Sequence, residues 1–190
     1  GNVRAVPSLD PRELRIQSAA GYASGAEAGG MNRVAVRELF QNAVDAVRPV
    51  SGGRVEVEVQ PSARRIIVRD NGTGMLPDVA ENQFVDIGAS VKPEGASGGF
   101  GRGLWAAFGN ADQINVRTRA IDPANPGQRL VTTLTGTGED WLNKRGLVVK
   151  TTTVPAESAG GTGTTAELVM SSGDMKAAQM YLQQWEREVA

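Results

Sequence analysis

The sequence predicts an α+β two-layer sandwich, with a mixed, mostly antiparallel sheet and helices on one face. Three observations carry this. Apolar residues recur at helical spacing in the first part of the chain, most clearly in RELFQNAVDAV from Arg37 to Val47. Short alternating or apolar runs follow and dominate the second half, as strands do. Clusters of Gly, Pro and Ser separate these runs and mark turns. With 190 residues and 40% hydrophobic composition the chain can build one sizeable core, so a single domain over 1–190 is expected.

Gly1 to Pro11 reads as an irregular or extended lead-in, with Ser8 or Asp10 as an N-cap and Pro11 in a first helical turn. Glu13 to Tyr22 is a helix candidate, and GYASGAEAGGM breaks the pattern with four glycines, as a connector would. The main helix is expected from Asn32 to about Val47, where Arg48-Pro49 stops it because proline disfavours helix in its predecessor. RVEVEVQ (Arg54 to Gln60) and RRIIVRD (Arg64 to Asp70), separated by Pro61-Ser62-Ala63, read as a hairpin.

Pro77 to Phe84 is expected as a short helix, Asp86 to Gly103 as a loop, and LWAAF (Leu104 to Phe108) as an apolar helix. Four strands are predicted at Gln113 to Arg119, Arg129 to Thr135, Gly146 to Val154 and Thr164 to Met170. The block Ala156 to Gly163 reads as a glycine-rich loop. A last helix is expected over Asp174 to Val189, with Met175, Ala178, Leu182 and Trp185 spaced for burial.

Composition excludes several functions. The formal net charge is -1, so bulk electrostatics give no reason to expect nucleic acid or an anionic membrane as the main partner. There are no cysteines, which removes disulfides and thiolate metal sites and fits a cytoplasmic protein. There are no histidines either, so a general base must be a carboxylate, lysine or tyrosine. No apolar run approaches membrane-spanning length, and GNVRAVPSLD does not read as a signal peptide.

Chemistry gathers in a few places. Glu38, Asn42 and Asp45 follow one another at i, i+4 and i+7 and share one face of the main helix, while Val36, Phe40, Ala43 and Val47 form an apolar face. Asp70 leaves a strand into Asn71-Gly72-Thr73-Gly74, where a carboxylate could accept from an amino group and the glycines let a flat ring approach the backbone. On its own DNGTG is a good turn and nothing more. GGFGRG, Gly98 to Gly103, lacks the dinucleotide fingerprint spacing, and no GK[ST] ending marks a P-loop. A glycine loop feeding a helix N-terminus still suits phosphate, because backbone N–H groups and the helix dipole attract anions.

Taken together, Glu38-x-x-x-Asn42-x-x-Asp45-Ala46, Asp70-x-Gly72-x-Gly74-Met75, IGASVK from Ile87 to Lys92, Gly99-Phe100-Gly101-Arg102-Gly103 and Gly163-Thr164 resemble the GHKL ATPases. This superfamily comprises gyrase-type topoisomerases, ninety-kilodalton heat-shock chaperones, histidine kinases and MutL proteins. The matched region runs from about Asn32 to Met170, and the nearest likeness is to the N-terminal domain of the chaperone branch.

The resemblance implies the Bergerat ATP-binding fold, with 86–103 as an ATP lid and 1–31 as a lead-in arm. It implies ATP and Mg²⁺ as cofactors. Glu38 matches the general base that orients the attacking water, and Asn42 the metal ligand. Asp70 matches the carboxylate that receives the adenine amino group. Gly74 and Thr164 match positions that complete the adenine pocket through water, Gly72 stands in the same motif, and Met75 and Leu104 match apolar lining. Lys92 matches a lid lysine that reaches the terminal phosphates, and Gly99, Phe100, Gly101, Arg102 and Gly103 stand in the phosphate-cradling loop. Asp45 matches a position with either a pocket-supporting or a structural role. Arg102 departs from the pattern, which has a small apolar residue there.

The activity implied is ATP hydrolysis that drives rearrangement or nucleotide-dependent homodimerisation of a larger protein, acting with downstream domains or a protein client. Two alternatives stay open: a regulatory or scaffold module that binds ATP or ADP without turnover, and a MutL-, topoisomerase- or kinase-type domain. The chain has no phospho-acceptor histidine of its own. It runs only a short way past Gly163-Thr164, where the family usually continues into a domain with a further basic residue for the terminal phosphate.

Overall fold

The computed structural model describes residues 3–5, 28–85, 100–143, 146–171, 175, 176, 178–180 and 182. The helix expected at Glu13 to Tyr22, Lys92, Gly99 and Trp185 lie outside them.

Seven strands form one sheet: β1 (Val3–Ala5), β2 (Val55–Gln60), β3 (Arg65–Asp70), β4 (Ala111–Asp122), β5 (Asn125–Gly136), β6 (Val148–Pro155) and β7 (Gly163–Met170). Their order is β1-β2-β3-β7-β4-β5-β6, and every neighbouring pair is antiparallel. β7, the last strand, inserts between β3 and β4. That insertion sets Thr164 opposite both Asp70 and Thr118.

Helix α1 (Ala28–Val47) crosses β2, β3 and β7. It buries Val34, Ala35, Leu39, Phe40 and Ala43 against Val57, Val59, Ile66, Val68, Ala166 and Leu168 in one hydrophobic cluster. Side chains alternate across a strand, so each strand's inward set supplies the core and leaves the intervening residues on the second face. On that face Arg69 meets Glu56 and Glu58 at 3.8 and 3.6 Å.

Helix α1 ends at Val47, where Arg48-Pro49 predicted, and Val50 N–H donates to Val47 O at 2.9 Å. Its start differs. The helix begins at Ala28 and runs through Gly29 and Gly30, in the stretch read as a connector. Glycine costs helix about 1 kcal/mol relative to alanine. Here burial of Met31, Asn32 and Val34 offsets it, and Asn32 Nδ2 donates to the Met175 sulfur at 3.1 Å.

The segment after Asp70 contains helix α2 (Pro77–Ala80), which widens into a π turn over Glu81–Val85. Helix α3 (Phe100–Gly109) corrects a second expectation: Phe100 to Gly103 form its first turn and are not loop. Leu104, Ala107 and Phe108 are fully buried and anchor the helix.

Two short helices fall in stretches read as turns. Helix α4 (Gly138–Leu142) is capped by Thr137, whose Oγ1 accepts from Asp140 N–H at 3.1 Å. Its Trp141 meets Phe108 edge-on, ring centroids 5.1 Å apart at 74°. Helix α5 (Ala156–Ala159) occupies the block read as a glycine-rich loop and ends in the left-handed Gly160. Near the end of the chain Met175, Ala178 and Leu182 are buried in the core, as their spacing predicted. Among the described residues no helix is long and apolar enough to cross a membrane.

Candidate functional site

A cavity of about 280 Å³ lies between α1 and the sheet. Helix α1 contributes Leu39, Asn42, Ala43, Asp45 and Ala46. The sheet contributes Val68 and Asp70 from β3 and Thr164 and Ala166 from β7. Thr73, Gly74, Met75 and Gln83 close one side. The acidic strand end and the helix amide singled out in the sequence therefore share one cleft.

Asp70 is held in place by the backbone around it. Its Oδ1 accepts from Gly72 N–H at 2.9 Å and Thr164 N–H at 3.2 Å. Among the described residues none donates to Oδ2. Burial pushes the carboxyl above the usual aspartate pKa, against the two N–H groups and Arg119, which favour the charged form. Arg119 is lowered in turn by its own burial and by Arg117.

The turn after Asp70 needs its glycines for space. Gly74 has φ +70° and a Cβ there would stand 2.0 Å from Arg119 O; Gly163 has φ +140° and would meet Asp70 O at 2.1 Å. Thr162 Oγ1 donates to Gly72 O at 2.7 Å, Met75 N–H donates to Thr118 Oγ1 at 2.8 Å, and Arg119 donates to Ala159 O and Gly160 O. Asn71 ties the hairpin to the preceding turn through Arg54 N–H and Gly52 O. The β3 end, the turn and the approach to β7 thus form one cross-braced unit.

The α1 wall is different. Asn42 lines the cavity with both Oδ1 and Nδ2 sealed from water, and neither has a hydrogen-bond partner among the described residues. A buried polar group left unpaired costs roughly 1–3 kcal/mol. Asp45 lies at the cleft margin and pairs with Arg48 at 3.3 Å.

Glu38, one turn before Asn42 on the same helix face, is only 2% exposed and does not line the cavity. Leu104 sits in the core and is not among the lining residues. Phe100, Gly101, Arg102 and Gly103 are described only as the first turn of α3, where N–H groups lack intrahelical acceptors.

Sequence reasoning missed several residues. Leu39, Ala43, Ala46 and Ala166 shape the cleft, and Gln83 comes from the widened turn. Thr118 was also missed, yet it carried a signal. On β4 it follows Ile114 and Val116 on the inward face, where a polar residue breaks the apolar set.

Fold and cleft together define an antiparallel sheet roofed by helices, with a cavity between the layers. Residues 32–172 match the family described as histidine kinase-, DNA gyrase B-, and HSP90-like ATPase, and the chain belongs to it. The sequence is 31% identical to "Chaperone protein HtpG" of Idiomarina loihiensis, over 45% of this chain and 18% of that one. It is 34% identical to that of Alkalilimnicola ehrlichii, over 44% of this chain and 17% of the relative. The chain therefore spans under a fifth of these curated relatives. In structure it is similar to the ATPase region of Saccharomyces cerevisiae topoisomerase II, with TM-score 0.53 at 14% identity over 80% of this chain and 43% of that one. The ATPase and transducer domains of Balamuthia mandrillaris topoisomerase II give 0.51 at 15%, over 75% and 37%. At that identity the likeness is one of fold.

Proposed function

We propose that the chain is a Mg²⁺-dependent ATP-binding and ATP-hydrolysing domain, the N-terminal part of a larger chaperone-like cytoplasmic protein, with 86–103 as its lid. The observation that carries this reading is the pairing, in one cavity, of a carboxylate oxygen and a buried carboxamide that both lack partners among the described residues. Membership of the ATPase family supports nucleotide chemistry, and the two curated relatives support the chaperone branch.

In this reading Asp70 Oδ2 accepts the exocyclic amino group of adenine, while Gly74, Met75 and Thr164 flank the ring. Asn42 Oδ1 is the protein ligand for Mg²⁺. Among the described residues no group of three or more acidic side chains could cage a metal, and Mg²⁺ usually keeps few protein ligands beside phosphate oxygens. Bound there, the ion neutralises charge on the phosphates. The first-turn N–H groups of α3 and the side chain of Lys92 add positive potential for the same phosphates. Glu38 orients the attacking water and takes its proton, the one role a chain without histidine must give to another base. Nucleotide state then sets lid position, dimerisation with a second copy, or contact with downstream domains or a client.

A second reading has its own observation. Glu38 does not line the cleft, and a domain held in this arrangement binds ATP or ADP as a regulatory module without turnover. Phosphate release by the parent protein, beside Glu38→Ala, separates the two. Hydrolysis lost with binding kept supports the enzyme, and no release from the unmutated protein supports the binding module. Equal loss of binding in Glu38→Ala and Asp70→Asn would defeat the division of roles.

A further inference from the structure

The cavity floor is one end of a polar row that crosses the sheet. Asp70, Thr164, Thr118, Thr132 and Thr151 are successive register partners on β3, β7, β4, β5 and β6. Thr118 and Thr132 are completely buried on the face that elsewhere carries Val116 and Leu134. A hydroxyl in such a place is costly unless it is paired.

Thr118 is paired twice. It accepts from Met75 N–H, and its Oγ1 lies 2.9 Å from Thr164 Oγ1. A backbone N–H only donates. Either hydroxyl could donate across this contact; among the described residues Thr164 Oγ1 is the acceptor within reach of the Thr118 hydrogen, so the direction that satisfies that buried hydrogen runs from Thr118 to Thr164. With that bond received, the Thr164 hydroxyl has its own hydrogen to offer to the cavity it lines. Directly across the register stands Asp70, whose Oδ1 holds two N–H groups and whose Oδ2 remains an acceptor. The floor thus offers an acceptor and a donor side by side.

We propose that Thr118 is a positioning residue that sets the base specificity of the site by holding Thr164 as a hydrogen-bond donor. This rests on the nucleotide reading above and deepens it. A 6-aminopurine carries an amino group next to a bare ring nitrogen, which complements acceptor and donor in that order. A 6-oxopurine carries the reverse order. To satisfy both groups it must turn over, which carries its ribose and phosphates away from Asn42. Without the Thr118 hydroxyl, Thr164 rotates freely and accepts as readily as it donates, so the penalty on the reversed edge falls.

The test is the ratio of ATP to GTP affinity, measured by calorimetry with Mg²⁺ on the protein and its variants. Thr118→Val keeps the side-chain shape and removes the hydroxyl; the ratio is expected to fall about tenfold, the scale of one hydrogen bond. Thr118→Ser restores it. Thr164→Val loses the same selectivity, and the double variant Thr118→Val/Thr164→Val loses no more, because one acts through the other. Thr118→Cys, a weak donor of similar size, gives an intermediate ratio and serves if the valine variant does not fold. An unchanged ratio in Thr118→Val or Thr118→Cys, or additive losses in the double variant, overturns the proposal while ATP binding stands. A wild-type protein that binds neither nucleotide overturns the nucleotide reading itself, and this inference with it.

Discussion

The two walls of the cleft are built on opposite principles. At the β3 and β7 end nearly every polar group is already paired: Gly72 and Thr164 N–H on Asp70 Oδ1, Thr162 on Gly72 O, Met75 N–H on Thr118. On α1 the Asn42 carboxamide has no partner at either atom among the described residues. The first wall is cross-braced without a ligand, and on the proposed reading a ligand meets Asp70 Oδ2 and the Thr164 hydroxyl there. The second wall is left for a ligand to complete. On the proposed reading, recognition of shape belongs to the prepaired wall, and coupling of ligand to helix to the unpaired one.

The largest expected effect breaks the cross-braced wall. Gly74→Val places a Cβ against Arg119 O in a left-handed backbone position. A loss of roughly 2–4 kcal/mol in denaturant unfolding, with nucleotide binding abolished, is expected. Near-wild-type stability would mean that the turn is softer than its bracing indicates.

Next, Asp70→Asn preserves the acceptor for Gly72 and Thr164 but replaces the free carboxylate oxygen. Hydrogen bonds to charged groups contribute about 1.5–3 kcal/mol, so affinity should fall by roughly 10- to 150-fold. The apo protein should melt no lower, since the variant also removes a charge that burial disfavours. A lower melting temperature with affinity unchanged would make Asp70 a structural residue only.

The same carboxyl fixes a pH dependence. Its pKa in the folded protein is raised, so the folded state favours the protonated form, and its contribution to stability is present below the unfolded pKa and lost as pH rises through the folded one. A donor from the ligand favours the charged form instead. ATP affinity should therefore increase as pH rises through the raised pKa and level off above it, with a proton released on binding. Calorimetry in buffers of different ionisation enthalpy measures that proton, and uptake in its place would reverse the assignment.

Asn42→Leu probes the open wall. Removing a sealed, unpaired carboxamide should stabilise the apo protein by about 1 kcal/mol while the Mg²⁺ dependence of nucleotide affinity disappears. A destabilised variant that keeps its Mg²⁺ dependence would show that the amide serves the fold. Smallest of all, Arg48→Ala removes an exposed pair with Asp45 at the cleft margin and should change stability by about 0.5 kcal/mol or less.

The same contrast explains what the sequence made legible. Asp70, Asn42, Gly74 and Thr164 were found because each stands in a short local pattern: a helix face, a strand end, a turn. The hairpin of β2 and β3 and the end of α1 followed from alternation and from Arg48-Pro49 for the same reason. Thr118 was missed because the one local sign, a polar residue among the inward apolar positions of β4, does not name its partners: the contacts to Met75 and Thr164 arise from cross-strand register. Gly29 and Gly30 in α1, and Gly101 and Gly103 in α3, misled because burial of Met31 and Leu104 outweighs glycine's weak helix propensity. Helix α4 is five residues long, too short for periodicity to show, although Thr137 before Glu139 and Asp140 spells an N-cap.

The most direct measurement is a crystal structure of the protein with a non-hydrolysable ATP analogue and Mg²⁺. The account predicts the adenine amino group on Asp70 Oδ2 and the metal on Asn42 Oδ1, both held by a single nucleotide. A nucleotide bound elsewhere, with the Asn42 carboxamide still lacking a partner, would contradict it.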